Sequence, residues 1–153
     1  MHLAILIPIA CSRALGMQTH QIPDWQITSS SQWDANHAAV QGRLFFQAAG
    51  NKQGAWSARK NDINQWLQIN LGCNGNTVTR VATQGRNAYN QWVTKYALQY
   101  SGDGLHFHFY KEKGQLKNKV NLDLYFIRVV DSLYGLRSLY DFKGVILGGC
   151  FLV

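Results

Sequence analysis

The chain has 153 residues, of which 46% are hydrophobic, 12% aromatic and only 15% charged. This composition is typical of a single globular domain with a sizeable core, which excludes extensive disorder and argues against a two-domain enzyme. Fifteen Lys and Arg against eight Asp and Glu give a formal charge of +7. The excess suits an acidic partner, although scattered basic residues suit an ordinary solvated surface equally well. Aromatic and basic residues do not interleave along one predicted strand, so nucleic acid is not an expected partner.

A short apolar run occupies most of residues 1–10, after Met1 and His2. It has the length of a signal-peptide core but almost no charged leader. We interpret it as the remnant of a secretory signal or an incomplete N-terminus, with a first strand as the less favoured alternative. The run is far too short to span a bilayer, and no other stretch approaches that length. We expect one domain over residues 11–150, a tail at residues 151–153, and at most peripheral contact with a membrane.

The hydrophobic periodicity of the chain is close to two, as in half-buried strands. Leu67, Ile69 and Leu71 point to one side of a predicted strand, and the polar residues between them point to the other. The strands predicted in this way lie at residues 66–71, 78–83, 92–100, 125–130 and 145–147. Turn-forming or polar residues separate these strands, and no segment between them has a sustained period of 3.6. The sequence therefore predicts an all-β antiparallel sandwich or barrel.

Residues 101–104, with the sequence SGDG, have the composition of a tight turn. Such residues tolerate positive φ and commonly connect two antiparallel strands. Leu105, Phe107 and Phe109 are then expected on one face of the returning strand. The sequence therefore predicts a hairpin around this turn.

Catalytic and metal-binding candidates are few. His106 and His108 would share one face of the returning strand, a spacing that some metal sites use, and Cys73 with a histidine could form a nucleophile pair. No third ligand, carboxylate pair, Gly-rich phosphate loop or nucleophile elbow accompanies them. We therefore expect no enzymatic activity, no metal and no other cofactor, and we attribute the two histidines to the exposed face of an edge hairpin.

The three cysteines lie far apart in the sequence. Cys11 and Cys150 are near opposite ends of the chain, whereas Cys73 stands alone between a predicted strand and a polar loop. Their spacing matches no zinc motif. The residues alone leave two alternatives open: a bridge between the terminal pair, as in an oxidising compartment, or three buried free thiols.

Six sequence motifs follow one another in an order that is typical of one protein family. They are ALGM at residues 14–17, IPD at 22–24 with QITSSS at 26–31, GAW at 54–56, QWLQINLG at 65–72, VATQGR at 81–86, and QWVTKY at 91–96. With these motifs the sequence resembles the discoidin domain, also called the coagulation factor V/VIII type C domain, over roughly residues 11–113. From residue 114 onward the likeness is confined to short segments at residues 125–129 and 148–150.

The resemblance implies a jelly-roll-like antiparallel β-sandwich of the galactose-binding-domain type, with its terminal cysteines, here Cys11 and Cys150, joined. It also implies a secreted or cell-surface adhesion module without catalysis. Members of the family bind phospholipid headgroups, collagen, receptors or sugars through loops at one end of the sandwich. The partner expected for this chain is therefore a cell-surface phospholipid, a protein receptor or, alternatively, a glycan.

The resemblance assigns ligand binding to three loops. The candidate residues are Trp33, Asp34, Asn36 and His37 in loop A (residues 32–37), Lys52 in loop B (residues 48–53), and Arg86 and Tyr89 in loop C (residues 86–91). By contrast, Trp56, Trp66 and Trp92 lie at strand starts inside the family motifs and are expected in the core.

The loop residues have expected roles, and Trp33 and Arg86 also have alternatives. Family members that dock on phosphatidylserine insert aromatic loop tips into the membrane interface, and Trp33 matches this chemistry. The alternative for Trp33 is a position in the core or at its rim. Lys52 and Arg86 would meet headgroup phosphates, although Arg86 is equally suited to an internal salt bridge. In the lectin alternative, Tyr89 stacks on a sugar ring while Asp34, Asn36 and Arg86 supply polar contacts.

Overall fold

The computed structural model describes residues 13–72, 76–93, 96–112, 115–116, 122–124, 126–131 and 143–150. The strands of this described part are β1 (Ile27–Ser29), β2 (Trp66–Asn70), β3 (Asn76–Gln84), β4 (Tyr96–Ser101), β5 (His108–Phe109), β6 (Lys111–Glu112), β7 (Gln115–Leu116), β8 (Leu122–Leu124), β9 (Phe126–Asp131) and β10 (Lys143–Cys150). Its helical residues form three 3-10 turns, Asp24–Gln26, Ala35–His37 and Ala39–Gly42. The interpretation of residues 1–10, like Cys11 and Cys73, lies outside the described residues.

All the strand pairs are antiparallel, and they form two main sheets. One sheet has five strands in the order β1-β2-β9-β4-β5, and the other has three in the order β10-β3-β8. Strands β6 and β7 form a separate two-stranded ribbon. Neighbours such as β2 and β9 are distant in sequence, as in a sandwich with jelly-roll connections and unlike a simple meander. The all-β prediction is confirmed, and β8 to β10 show that the chain beyond residue 113 still supplies strands to both main sheets.

Strand β2 has the alternation that the sequence predicts. Leu67 and Ile69 are fully buried, whereas Trp66, Gln68 and Asn70 are half-buried. This alternation follows from the two-residue period of a strand, which sends successive side chains to opposite faces. The cluster of buried residues around them consists of Leu15, Met17, Ile22, Ile27, Ala39, Trp56, Leu67, Ile69, Leu71, Val78, Val81 and Leu98.

The predicted hairpin between β4 and β5 is confirmed, but the predicted length of its returning strand is wrong. Gln99 pairs with Phe109 and Tyr100 with His108, so the strand resumes only at residue 108. Before it, the Asp103 carboxylate accepts hydrogen bonds from the backbone N–H groups of Leu105 and His106, both at 2.8 Å. These bonds satisfy the backbone locally and keep it out of the sheet.

That bend overturns the expected arrangement of three hairpin side chains on one face of the returning strand. Leu105 lies in the bend and Phe109 in the strand, so Leu105, Phe107 and Phe109 do not share one strand face, and Leu105 and Phe109 are both exposed. His106 lies in the bend and His108 in the strand, so the two imidazoles do not share a strand face either. The side chain of His108 instead contacts the Tyr100 ring, with the ring centroids 5.8 Å apart.

The three tryptophans expected in the core differ in how deeply they are buried. Trp56 is buried, and its indole N–H donates to the carbonyl oxygen of Ser31 at 2.8 Å, while Trp66 is half-buried. Trp92 is exposed, so its assignment to the core is wrong. The backbone N–H of Arg86 donates to the carbonyl oxygen of Gln91 and closes loop C just before Trp92. Strand β4 begins only at Tyr96, so Trp92 belongs to the base of the loop.

The strand register places the connections that carry the loops at one end of the five-stranded sheet. Ser29 at the end of β1 pairs with Leu67 near the start of β2. Trp66 at the start of β2 pairs with Val130 near the end of β9, and Asp131 pairs with Tyr96 at the start of β4. Loop A follows β1, and loop C precedes β4. Both loops therefore leave the sandwich at this end, and the bend at residues 102–106 lies at the other.

The bridge between Cys11 and Cys150 stays a prediction. Cys150 is the last residue of β10, where it pairs with Thr77 of β3, and Cys11 lies outside the described residues. We expect non-reducing peptide mapping to recover one disulfide-linked peptide pair that contains both residues. Recovery of all three cysteines alkylated without prior reduction, or of a pair that includes Cys73, would contradict the bridge.

Candidate functional site

Loops A, B and C are joined to one another by hydrogen bonds. The backbone N–H of Gln53 donates to the carbonyl oxygen of Asn36 at 2.9 Å, which ties loop B to loop A. The N–H of Ala48 donates to the side-chain oxygen of Asn87 at 3.2 Å, which ties loop B to loop C. The structure thus brings the three sequence-predicted loops together into one surface, although loop C lies far from the other two in the chain.

Arg86 lies at the junction of the three loops. One terminal nitrogen of its guanidinium donates to the side-chain oxygen of Gln53 at 2.6 Å, and the other donates to Gln91 at 2.7 Å. The guanidinium carbon stands 4.2 Å from the centroid of the Tyr89 ring, within the range of a cation–π interaction. The same guanidinium also reaches His37 of loop A. None of these partners is a carboxylate, so these contacts make Arg86 a connector of the loops and are not the salt bridge considered for it.

The polar residues of loop A form hydrogen bonds with one another. Asp34 caps the 3-10 turn Ala35–His37 by accepting the backbone N–H of Asn36 at 2.8 Å, and it contacts the Nδ1 atom of His37 at 2.7 Å. The hydrogen bond from His37 is the main reason that the pKa of Asp34 lies below its usual range. Asn36 is half-buried and uses its carbonyl to bind loop B. The loop is therefore fixed internally before any ligand arrives.

Loop B forms a tight turn with a cation near its tip. Ala49 and Lys52 exchange two backbone hydrogen bonds of 3.1 and 3.0 Å, and Gly50 between them has a positive φ of 56°. The Lys52 side chain is exposed. Just after the loop, Gly54 lies so close to loop C that an added Cβ would stand 2.7 Å from the Cβ of Asn87. A glycine at this position is what allows loops B and C to meet.

Large aromatic side chains project from the loop end. Trp33 is 60% exposed, Tyr89 56%, Phe45 54% and Trp92 53%. Phe45 precedes loop B, has a positive φ of 57°, and is held by an N–H bond to the side-chain oxygen of Gln84, the last residue of β3. The sequence reasoning missed Phe45 as a site residue. The signal that could have found it is the adjacent pair Phe45 and Phe46, which no predicted strand accommodates.

The opposite end carries a second aspartate–histidine pair. The Nδ1 atom of His106 contacts the Asp103 carboxylate at 2.6 Å. Hydrogen bonds from His106, Leu105 and Ser101 hold the pKa of Asp103 well below its usual range, and the same carboxylate raises the pKa of His106. Across the part of the chain that the structure describes, no three His, Cys, Asp or Glu side chains are grouped as a metal site would require.

A β-sandwich that presents three interlinked loops at one end defines a class of binding module. The sequence model of the F5/8 type C domain matches residues 26–130, and the chain belongs to this family. It is 36% identical over 121 residues to lactadherin of Sus scrofa, covering 74% of this chain and 29% of that protein. It is 38% identical over 115 residues to EGF-like repeat and discoidin I-like domain-containing protein 3 of Homo sapiens, covering 72% of this chain and 24% of that protein.

Among solved structures, the chain is similar to wild-type discoidin II from Dictyostelium discoideum. The TM-score is 0.66 at 21% identity, over 80% of this chain and 53% of that one. This likeness confirms the predicted discoidin-type sandwich. The chain spans less than a third of the two curated relatives named above, so the activities of those whole proteins do not transfer to it. Within the described ranges, no helix has the length and apolar character needed to cross a bilayer.

Proposed function

We propose that the chain is an extracellular, non-catalytic adhesion module that docks peripherally on anionic phospholipid membranes through loops A to C. The observation that carries the proposal is the group of four exposed aromatic side chains at the loop end. Burying one large apolar side chain is worth about 1.5–3 kcal/mol, so even partial insertion of several rings gives useful affinity. Trp and Tyr suit this role because their polar atoms stay hydrated at the headgroup level while the rings enter the apolar layer.

The hydrogen bonds among the loops support this proposal. A loop that is already ordered loses little conformational freedom on binding, so more of the insertion energy appears as affinity. Loop A is capped by Asp34, loop B is closed by its own backbone bonds, and Arg86 joins both to loop C. We therefore assign Arg86 the role of positioning Tyr89, and we leave headgroup contact to other cations.

Exposed cations lie around the same end. Lys52 projects from loop B, and Arg59 and Lys60 follow the segment that packs beneath loop A. The backbone N–H of Arg59 donates to the hydroxyl of Ser31, one residue before loop A. Each Lys or Arg near an anionic leaflet contributes about 1 kcal/mol of attraction. These three exposed cations favour an anionic membrane over a neutral one.

The lectin alternative has less support from the loop geometry. One face of the Tyr89 ring is covered by the Arg86 guanidinium, which leaves less of the ring to stack on a sugar. The Asp34 carboxylate is already bound by Asn36 and His37, and Arg86 by Gln53 and Gln91. A glycan array or a receptor screen with a strong hit, together with no vesicle binding, would favour a glycan or a protein receptor instead.

Vesicle co-sedimentation tests the membrane proposal directly. We expect the chain to bind vesicles that contain phosphatidylserine more tightly than pure phosphatidylcholine vesicles. Trp33→Ala and Phe45→Ala should each weaken binding by about tenfold or more, because each removes a large apolar side chain from the interface.

Trp25→Ala is the matched control for these variants. Trp25 is 74% exposed, but its 3-10 turn precedes β1 at the opposite end, where Gln26 donates to the Asn70 carbonyl oxygen. Its loss should leave binding unchanged. Equal binding to both kinds of vesicle, an unaffected Trp33→Ala variant, or an equal loss in Trp25→Ala would contradict the proposal.

A further inference from the structure

A continuous chain of hydrogen bonds runs from Asp34 through His37 to Arg86. His37 Nδ1 is 2.7 Å from the Asp34 carboxylate, and His37 Nε2 is 3.3 Å from a terminal nitrogen of Arg86. A guanidinium has only donors, so it can bind Nε2 only when this nitrogen offers its lone pair. A carboxylate accepts, so Nδ1 must carry the proton. Only the neutral imidazole, with its proton on Nδ1, makes both contacts.

From this geometry we propose that protonation of His37 opens the junction between loops A and C, so that binding weakens as the pH falls. The second proton can be added only at Nε2, where it meets the N–H groups and the positive charge of Arg86. The pair with Asp34 survives protonation and gains in strength, so the ring stays with loop A and the Arg86 contact is lost. The effect on binding rests on the proposed membrane function, whereas the opening of the junction does not.

Among the residues that the structure describes, the groups that face His37 come from loop A, loop B, loop C and the segment that follows loop B. Loop A contributes Asp34, which favours the protonated ring, and loop C contributes Arg86, which opposes it. Loop B contributes the neutral Gln53, bound to the same guanidinium, and the segment after it contributes the backbone N–H of Ser57, which donates to the carbonyl oxygen of His37. Whatever the balance between the two charges, Nε2 cannot accept from Arg86 once it carries a proton.

Losing the His37 contact would also affect the exposed aromatic surface. Arg86 stacks on Tyr89 and is braced by Gln53 and Gln91 in addition to His37. Histidine is the side chain whose charge normally changes between about pH 5 and pH 8. Once the His37 contact is lost, Tyr89 and Trp33 lose their fixed relative placement.

The expected sign is opposite to that of a simple charge effect. The sequence has five histidines, and protonating them adds positive charge to an already basic chain. Added positive charge alone would strengthen binding to an anionic vesicle at lower pH. Weaker binding at lower pH therefore distinguishes the opening of the junction from general electrostatics.

The chain supplies its own control in the pair of Asp103 and His106. This pair has the same three-residue spacing and a similar Nδ1 to carboxylate contact, at 2.6 Å, but it lies at the opposite end. The contact that the structure describes for the His106 ring is with Asp103 alone. Protonation of His106 therefore strengthens its pair without breaking a contact to an arginine, and His106→Gln removes a histidine without touching the loop junction.

Vesicle binding and nuclear magnetic resonance together test the inference. For the wild-type chain, we expect affinity for phosphatidylserine vesicles to fall about threefold to tenfold between about pH 7.5 and pH 5.5, the effect of losing one part-buried hydrogen bond of ordinary strength. His106→Gln should show the same fall. For His37→Gln the ratio of affinities at the two pH values should be about one or should rise at low pH, because glutamine gains no proton.

The resonance experiment is made without vesicles. The nitrogen shifts of His37 should report a proton on Nδ1 at neutral pH, and the amide signals of Arg86 and Tyr89 should move together with the titration of His37. The inference would be overturned if the loop C signals did not change as His37 titrates. It would also be overturned if the vesicle affinity of His37→Gln still fell at low pH. If the wild-type chain binds no vesicles at neutral pH, the proposed function fails, and the resonance data alone decide whether the junction opens.

Discussion

Replacing Arg43 with methionine is expected to lower the free energy of unfolding by about 3–5 kcal/mol. Arg43 is a charged residue that is only 2% exposed, and its guanidinium donates to the carbonyl oxygens of Met17 and Ile22, each at 2.8 Å. It also forms a salt bridge of 2.5 Å with Asp24. Methionine keeps most of the apolar stem but leaves two carbonyls and a carboxylate without their donor.

The larger part of this effect should come from the carbonyl groups. The Asp24 side chain is 63% exposed, so water can replace its bond to Arg43 at little cost. The Arg43 bonds to Met17 and Ile22 are buried, and a buried acceptor without a donor costs about 1–3 kcal/mol. Asp24→Asn keeps an acceptor oxygen and is therefore expected to cost only about 1 kcal/mol.

Urea unfolding of both variants beside Arg59→Met measures these differences. Arg59 is exposed, and its replacement should change stability by less than about 0.5 kcal/mol. An Arg43→Met variant no less stable than Arg59→Met would show that the N-terminal segment is held by its apolar contacts alone. Equal losses for Arg43→Met and Asp24→Asn would instead place the stabilisation in the ion pair.

The sequence predicted the parts of the fold that depend on local periodicity. Strand β2 was recognised because its burial alternates from one residue to the next, and the turn after β4 was recognised from its Gly and Asp residues. The returning strand was mispredicted because Asp103 binds the backbone of Leu105 and His106, a local competition that an alternating pattern does not reveal. The family resemblance, and not the periodicity, supplied the jelly-roll-like sandwich.

The site was predicted less completely, because its geometry depends on contacts between distant residues. The three loops were located from the resemblance, but the role of Arg86 depends on Gln53, which lies 33 residues away in the chain. Burial of a charged residue such as Arg43 cannot be read from its neighbours in sequence when its partners lie 19 to 26 residues earlier. Trp92 and Phe45 were misjudged or missed because loop closure, not strand period, decides where they point.

Gly42 and Leu67 connect the loops to the core through a close contact. Leu67 is fully buried, and Leu67→Ala is expected to cost about 2–5 kcal/mol through lost packing and the cavity it leaves. A Cβ added at Gly42 would stand 2.8 Å from a methyl carbon of Leu67 and 3.6 Å from the Cβ of Trp56. Gly42→Ala alone must therefore displace Leu67, at a cost of about 1–3 kcal/mol.

The double variant should be more stable than the sum of the two losses predicts. Once Leu67 is truncated, the methyl group at position 42 enters space that the leucine has vacated, so we expect a favourable coupling of about 1–2 kcal/mol. A cycle of four urea unfolding curves measures this coupling, and strictly additive losses would mean that the two sites do not share one space. Gly42 ends the 3-10 turn between loop A and Arg43, so Gly42→Ala alone should also displace the base of the loops. Its vesicle affinity should then fall even under conditions where the variant is fully folded, because the close approach of Gly42 to Leu67 positions the loops relative to the sandwich.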